Sequence, residues 1–289
     1  MTISAPQLRC LTADNPGTLT GPGTNTYLIG STEIAVIDPG PPLAGHLAAI
    51  LAALRPGERI TRILVTHAHR DHSGLTVALA SATGADVLAF GTALQGRSPL
   101  MTKLAPDLPA SGEGLDLDFR PDHTLTDGQR ICGPDWELAV LHTPGHLGGH
   151  LCFALGDTLF SGDHVMGWST TLVSPPDGDM TDYMQSLARL QSDVWRLLHC
   201  GHGAPVDAPD KRIADLIAHR RNREASILGM LDASAATIPD LTRSIYQNIP
   251  AQMLPAAERN IFAHLIDLSS RRLVTATPAL HPDALFRHR

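Results

Sequence analysis

The sequence predicts a layered α/β domain of two packed sheets, followed by a small helical domain that ends in a β wing. Three observations carry this expectation. Up to about residue 205, short apolar and β-branched runs alternate with Ala/Leu-rich helical segments, the order that builds layered α/β folds. Gly and Pro punctuate those runs so densely that the strands stay short, as two packed sheets require. From about Asp210 the texture changes to long helical periodicity.

Residues 25–29 and 33–37 read as two strands joined by a tight turn at Gly30-Ser31, and Asp38-Pro39-Gly40 ends the second. Residues 43–54 form a helix that Pro56-Gly57 stops. A buried strand at 60–65 and a helix from 75, capped by Ser73, enclose a polar loop. Residues 86–90 are a further strand. The stretch 95–121 carries Gly96, Pro99, Pro106, Pro109, Gly112, Gly114 and Pro121 and reads as a loop or lid. Strands return at 136–141, 151–155 and 158–161, with a helix over 180–197. Residues 211–231 are one long helix with a basic middle, His219-Arg220-Arg221-Asn222-Arg223. A capping box at Thr237 to Asp240 starts the next helix, Pro255 opens another, and 273–275 with the tail make the wing. The expected boundaries are 1–209 for the first domain and 210–289 for a winged-helix-like second domain.

Composition narrows the class. The chain has 289 residues, 43% hydrophobic and 18% charged, enough for a substantial core. A net charge of −7 and only two lysines give no general attraction to nucleic acid or anionic membrane. The four cysteines form no C-x-x-C pair, so a reduced, cytoplasmic protein is expected. No signal peptide is visible in the first eleven residues, and no run approaches the ~20 apolar residues of a membrane span. The oligomeric state is left open, a homodimer included.

The chemistry is concentrated in Thr66-His67-Ala68-His69-Arg70-Asp71-His72-Ser73-Gly74, which places four metal-binding side chains within six positions at the spacing H-x-H-x-D-H. Imidazole suits zinc and iron, and carboxylate suits zinc as well. A tetrahedral ion needs four donors, and three later positions offer more. His146 follows Thr143-Pro144-Gly145, Asp163 follows Phe160-Ser161-Gly162, and His202 follows His199-Cys200-Gly201. Each lies beside a glycine, just past an expected element, where backbone can approach an ion closely.

This ordered set resembles the metallo-β-lactamase superfamily over roughly residues 17–205. The resemblance implies a four-layer αββα sandwich with a dinuclear site between the sheet edges. It implies that His67, His69 and His146 hold one ion, that Asp71, His72 and His202 hold the other, and that Asp163 bridges them. The implied cofactors are two zinc ions, with iron or manganese as alternatives. The implied nucleophile is a hydroxide shared by the ions, with Asp71 orienting it and shuttling its proton. Asp38 matches a position that orients a ligand histidine, although capping a turn would also explain it. His164 and the loop residues Thr170 and Thr171 are further candidates for contact with substrate or for support of the ligands.

The likeness is greatest to the branch containing the β-lactamase-like endoribonuclease, through Gly21-Pro22-Gly23-Thr24-Asn25-Thr26-Tyr27, Thr170-Thr171, Asp182 to Leu187 and His219-Arg220 with Arg223-Glu224. It implies a zinc-dependent hydrolase and cleavage of single-stranded RNA phosphodiesters; Arg220, Arg221 and Arg223 are either the basic contact for such a substrate or a solvated helix face pairing with Glu224 or the first domain. The acidic composition and the 4% aromatic content weigh against RNA, so a small-molecule substrate, such as the thioester of a glyoxalase II type, an ester or a lactone, stands beside it as the alternative. A mononuclear iron persulfide dioxygenase and a nucleic-acid-binding regulator are the readings from other classes.

Overall fold

The computed structural model describes residues 7–108 and 114–289. Its first sheet takes β1 (Leu8–Thr12), β2 (Asn25–Ile29), β3 (Glu33–Ile37), β4 (Arg59–Leu64), β5 (Asp86–Ala89) and β6 (His123–Thr124), in that spatial order. The pairs β1–β2 and β2–β3 are antiparallel, whereas β3, β4, β5 and β6 run parallel. Parallel neighbours need crossovers, and α1 (Ala44–Ala52) and α3 (Thr76–Thr83) provide two of them. The second sheet has the order β11 (Leu197–Cys200), β10 (Thr158–Gly162), β9 (Leu151–Leu155), β8 (Glu137–His142), β7 (Arg130–Cys132).

Period-two alternation sorts the side chains into layers. Tyr27, Ile29, Ala35 and Ile37 meet Leu138, Val140, Phe153 and Phe160 between the sheets. Their strand neighbours Leu28, Ile34 and Val36 face the other way and pack with Ile50 of α1 and Leu79 of α3. On the far side, Cys152, Leu159 and Leu198 pack against Tyr183, Leu187 and Leu190 of α5 (Met180–Gln191). The architecture is the αββα sandwich. Among the described residues no helix is long and apolar enough to cross a membrane.

The C-terminal part comprises α6 (Pro209–Ala233), α7 (Ile238–Ile245), α8 (Leu254–Ser270) and the antiparallel pair β12 (Val274–Thr277) and β13 (Leu285–His288). The capping box is formed: the Thr237 hydroxyl accepts from the Asp240 amide, and the Asp240 carboxylate accepts from the Thr237 amide. Helix α6 divides its apolar residues between two cores. Ile213, Leu216 and Ile217 join the sandwich, while Ile227 and Leu231 join the core of α7, α8 and the wing.

Four local expectations are corrected. The helix expected over 180–197 stops at Gln191, and 197–200 is instead strand β11, paired in parallel with β10. The pairing partner lies some forty residues back in sequence, so no local pattern announces it. The stretch read as loop contains α4 (Pro99–Leu104), because Ser98 caps it through Met101 N–H and Pro99 occupies its first turn, where proline is accommodated. Pro109 and Gly112 lie outside the described residues. Ser73 caps nothing: it ends a short helical turn, α2 (Arg70–Ser73), and its hydroxyl donates to Asp116 at 2.7 Å. Strands β1, β6 and β7 also escape the sequence patterns, since they are short and half-exposed or exposed over most of their length.

Candidate metal centre

Four strand ends arrive at one edge of the sandwich, and each delivers donors. The loop after β4 carries His67, His69, Asp71 and His72, the loop after β8 carries His146, the end of β10 carries Asp163, and the end of β11 carries His202. The backbone there is packed to its limit. A Cβ added at Gly201 would stand 2.4 Å from Asp163 Oδ1, and one at Gly162 would stand 2.9 Å from Thr66 Oγ1.

The seven side chains converge. His67, His69 and His146 form one group of donor atoms, Asp71, His72 and His202 another, and His67, His72 and Asp163 a third, each within 4.8 Å. The His69 Nδ1 lies 2.9 Å from His67 Nε2 and 3.1 Å from His146 Nε2. Asp71 Oδ2 lies 3.5 Å from His72 Nε2 and 3.3 Å from His202 Nε2. Asp163 faces both groups: its Oδ1 is 3.4 Å from His72 Nε2 and from His202 Nε2, and its Oδ2 is 3.8 Å from His146 Nε2. Donors held tetrahedrally at zinc distances stand roughly 3.3–3.6 Å apart, close to these separations. His72 Nε2 and Asp163 Oδ1 are buried without a hydrogen-bond partner, as atoms reserved for a cation would be. The donor set fits divalent metal ions.

The outward-facing ring nitrogens are tied down. His146 Nδ1 donates to Leu172 O at 2.7 Å and His202 Nδ1 to Gly23 O at 3.2 Å, which leaves each Nε2 as a lone-pair donor. Asp38 organises two more. Its carboxylate accepts from His72 Nδ1 at 2.9 Å, from the Thr66 amide at 2.7 Å and from the Thr66 hydroxyl at 2.7 Å. With that proton committed, Thr66 Oγ1 accepts from His67 Nδ1 at 3.0 Å. Asp38 holds a left-handed φ of 52° while doing so, a conformation Asp tolerates better than most residues.

The electrostatics separate the groups. Burial, with the neighbouring imidazoles, pushes His67 well below the usual histidine range and His69 down to about 3, so those two rings are neutral and lone-pair rich. Burial opposes charge on His72 and His202 as well. There the carboxylates of Asp71 and Asp163, with Asp38 for His72, outweigh it and raise His72 well above the usual range and His202 to about 9. A field that favours a proton on those nitrogens favours a divalent cation in their midst.

The remaining candidates fall into different places. Thr170 lines the cavity over the cluster, with Ser169. Thr171 is buried and donates to Asp163 O at 2.7 Å and to His164 O at 3.0 Å, steadying the backbone that carries Asp163. His164 does not contact the cavity as expected of a substrate residue. It is fully buried against Tyr183 and His150, with ring centroids 4.8 Å and 5.7 Å away, because the turn after Asp163 points it inward. The basic run on α6 is no open phosphate-binding face. Arg220 is buried, donating to Thr171 O and, at 3.1 Å, to Asn260 Oδ1, and Arg223 lies 4.1 Å over the Tyr246 ring. Arg221 alone of the three is exposed.

The cavity measures about 300 Å³ and contacts His69, Asp71, His146, Asp163 and His202. Leu19, Met166, Leu172, Ile249 and Met253 give it apolar walls, and His219, Tyr246 and Asn260 give it polar ones. Sequence reasoning missed this contribution from the C-terminal part. Its sole local signal is His219-Arg220, since apolar residues near 249–257 look like any helix core.

A buried His/Asp cluster at one edge of an αββα sandwich, opening into a cavity, defines a metal-binding hydrolase. The chain belongs to the metallo-beta-lactamase superfamily, whose family model matches residues 19–202, and a beta-lactamase associated winged helix domain matches residues 237–279. It is 30% identical to the beta-lactamase-like protein 2 homolog of Drosophila melanogaster, over 88% of this chain and 85% of that protein. It is also 30% identical to an atrochrysone carboxyl ACP thioesterase of Aspergillus fumigatus, over 87% of this chain and 77% of that protein. Among solved structures, a metallo-beta-lactamase family protein of Thermus thermophilus superposes with a TM-score of 0.78 at 25% identity, covering 98% of both chains.

Proposed function

We propose that this protein is a dinuclear-metal hydrolase that cleaves acyl thioesters of small, uncharged acyl groups. The observation that carries the reading is the cavity wall: among the described residues that line it there is no lysine or arginine, while seven are apolar. Phosphodiester substrates are held by neutralising phosphates with Lys and Arg, and this wall offers no such charge. An acyl chain requires apolar contact. The Aspergillus fumigatus relative, named as a thioesterase, supports the same choice. The expectation of RNA cleavage is the weaker reading on both counts.

His67, His69, His146, Asp71, His72, Asp163 and His202 would hold the ions. When bound, two divalent ions lower the pKa of a water and polarise the acyl oxygen. The chain's own part is positional. Asp71, about a quarter exposed to the cavity through its side chain, accepts a hydrogen bond from Thr24 Oγ1 at 3.3 Å and is placed to take the proton that the attacking water gives up. Water oxygen bonds to the acyl carbon, the carbon–sulfur bond breaks, and the proton passes to the departing thiolate, giving acid and thiol. The apolar walls exclude competing water from the acyl chain.

A panel on zinc-loaded protein tests this: acyl thioesters, a lactone, a β-lactam and single-stranded RNA, each with wild type and with Asp163→Ala. Thioester cleavage is expected to dominate, and Asp163→Ala to lower it by about 10³-fold or more, as losing a group that shapes the reacting charge does. Preferred cleavage of RNA, or full thioester activity in Asp163→Ala, would overturn the reading.

A further inference from the structure

One polar side chain on the cavity wall has no part in the hydrolysis above. His219 is half-buried on α6 and lines the cavity together with Tyr246 and Asn260. Its Nδ1 is buried and lacks a hydrogen-bond partner. Buried ring nitrogens are ordinarily satisfied; this one, on a ring that lines the cavity, is not satisfied by protein, and a turn of the ring would present it to a ligand there.

The neighbouring bonds explain why His219 is held there. Arg220 donates to Thr171 O and Asn260 Oδ1, and Asn260 Oδ1 also accepts from the Val173 amide at 3.2 Å. Those bonds fasten the middle of α6 to the loop behind Asp163. His219, next in the chain, is fixed beside the cavity while Arg220 points away into the protein. Burial, then the cations Arg220, Arg223 and Arg212, push the His219 pKa down to about 4. At neutral pH its ring therefore has one N–H donor and one bare acceptor nitrogen. Such a ring lacks the charge that would recruit a carboxylate or phosphate. A hydroxyl both donates and accepts, so it satisfies Nδ1 in either tautomer, whereas a methylene satisfies it in neither.

We infer that His219 is a specificity-determining residue that hydrogen-bonds a hydroxyl on the acyl chain, so that hydroxylated acyl groups are preferred over plain ones. This rests on the thioesterase reading, which places the acyl chain in this cavity. Arg220 is the positioning residue behind it.

The test compares N-acetylcysteamine thioesters of hexanoyl, β-hydroxyhexanoyl and δ-hydroxyhexanoyl groups on zinc-loaded wild type, His219→Leu and His219→Gln. The wild type is expected to favour one hydroxylated substrate by about tenfold in kcat/KM, the magnitude of one neutral hydrogen bond. His219→Leu should bring that ratio near one, and His219→Gln, which keeps a donor and an acceptor, should recover part of it. Calorimetric binding of the matching uncleavable thioethers separates the two readings. Thioethers that show a His219-dependent hydroxyl preference, with no thioester cleaved, would uphold the inference and sink the thioesterase reading. Thioesters cleaved without preference, or a preference unchanged in His219→Leu, would sink the inference alone. Neither cleavage nor binding would sink both.

Discussion

Asp38 shows how much of a metal centre depends on a side chain that need not touch the ion. Its carboxylate receives the Thr66 amide, the Thr66 hydroxyl and His72 Nδ1, and through Thr66 it also fixes the ring of His67. Two imidazoles, one from each half of the cluster, are thus oriented by a single group. Asp38→Asn keeps the shape but presents an NH₂ group where donors already crowd, so one of these bonds is lost and the His72 ring is free to turn. Zinc affinity is expected to fall by roughly 10–100-fold, the usual effect of removing a ligand's orienting partner, with secondary structure retained. Competition against a chelator of known affinity measures this, and an unchanged affinity would reduce Asp38 to a turn cap. The candidate cluster was legible in sequence because H-x-H-x-D-H is local and dense. The role of Asp38 was only half legible, since its partner Thr66 lies 28 positions away and the two meet through the parallel pairing of β3 and β4.

At the scale of elements, α6 is the joint of the molecule. Its first half packs on α5 within the sandwich core, its second half packs in the C-terminal core, and Arg220 sits between. Arg220 is a fully buried cation that bonds to Thr171 O and Asn260 Oδ1 and stands 5.2 Å over the Tyr183 ring, with no carboxylate among these partners. Arg220→Met fills a similar volume without reaching those acceptors. It is expected to cost about 3 kcal/mol of stability, from two charge-assisted hydrogen bonds at about 1.5 kcal/mol each. Urea denaturation would read this, and a loss under about 0.5 kcal/mol would show that the bonds contribute little. The helix itself was plain from its apolar stripe, as were the capping box at Thr237 and the strands 25–29 and 33–37. Strand β11 was not, because Leu197-Leu198-His199-Cys200 continues the apolar texture of the helix before it and only the neighbouring β10 decides its shape. The basic sequence around Arg220 looked like a surface for phosphates, and burial reversed its meaning. Sequence shows charge, but the packing around α6 decides whether that charge meets solvent or a carbonyl.

For the whole molecule, the buried imidazoles set how stability responds to pH. In metal-free protein, burial lowers His69 and His164 to about 3 and holds His67, His150 and His264 well below the ordinary 6.5, and His219 stands near 4. The unfolded chain takes up protons at these six positions below about pH 6.5, while the folded protein refuses them until far lower, so stability falls as pH drops from 6.5 toward 4. His72 and His202 act with the opposite sign. Their folded pKa values are raised, His202 to about 9, so their contribution is complete below 6.5 and is lost as pH rises through about 9. Between 6.5 and 4 both are protonated in either state and cannot offset the other six. Chelator-treated protein should therefore have its highest urea midpoint near pH 6.5, with a steep fall toward pH 4.5 and a shallower one toward pH 9. Zinc changes the alkaline side, because an ion takes the place of the proton on His72 and His202. Loaded protein should be more stable at every pH above 6.5 by mass action and should lose its alkaline decline. On the acid side protons compete with zinc for the same nitrogens, and the loaded and chelated curves should converge as pH falls. A midpoint that rises toward pH 4.5 in chelated protein, or an alkaline decline that zinc leaves untouched, would show that these histidines are not the groups that govern its stability.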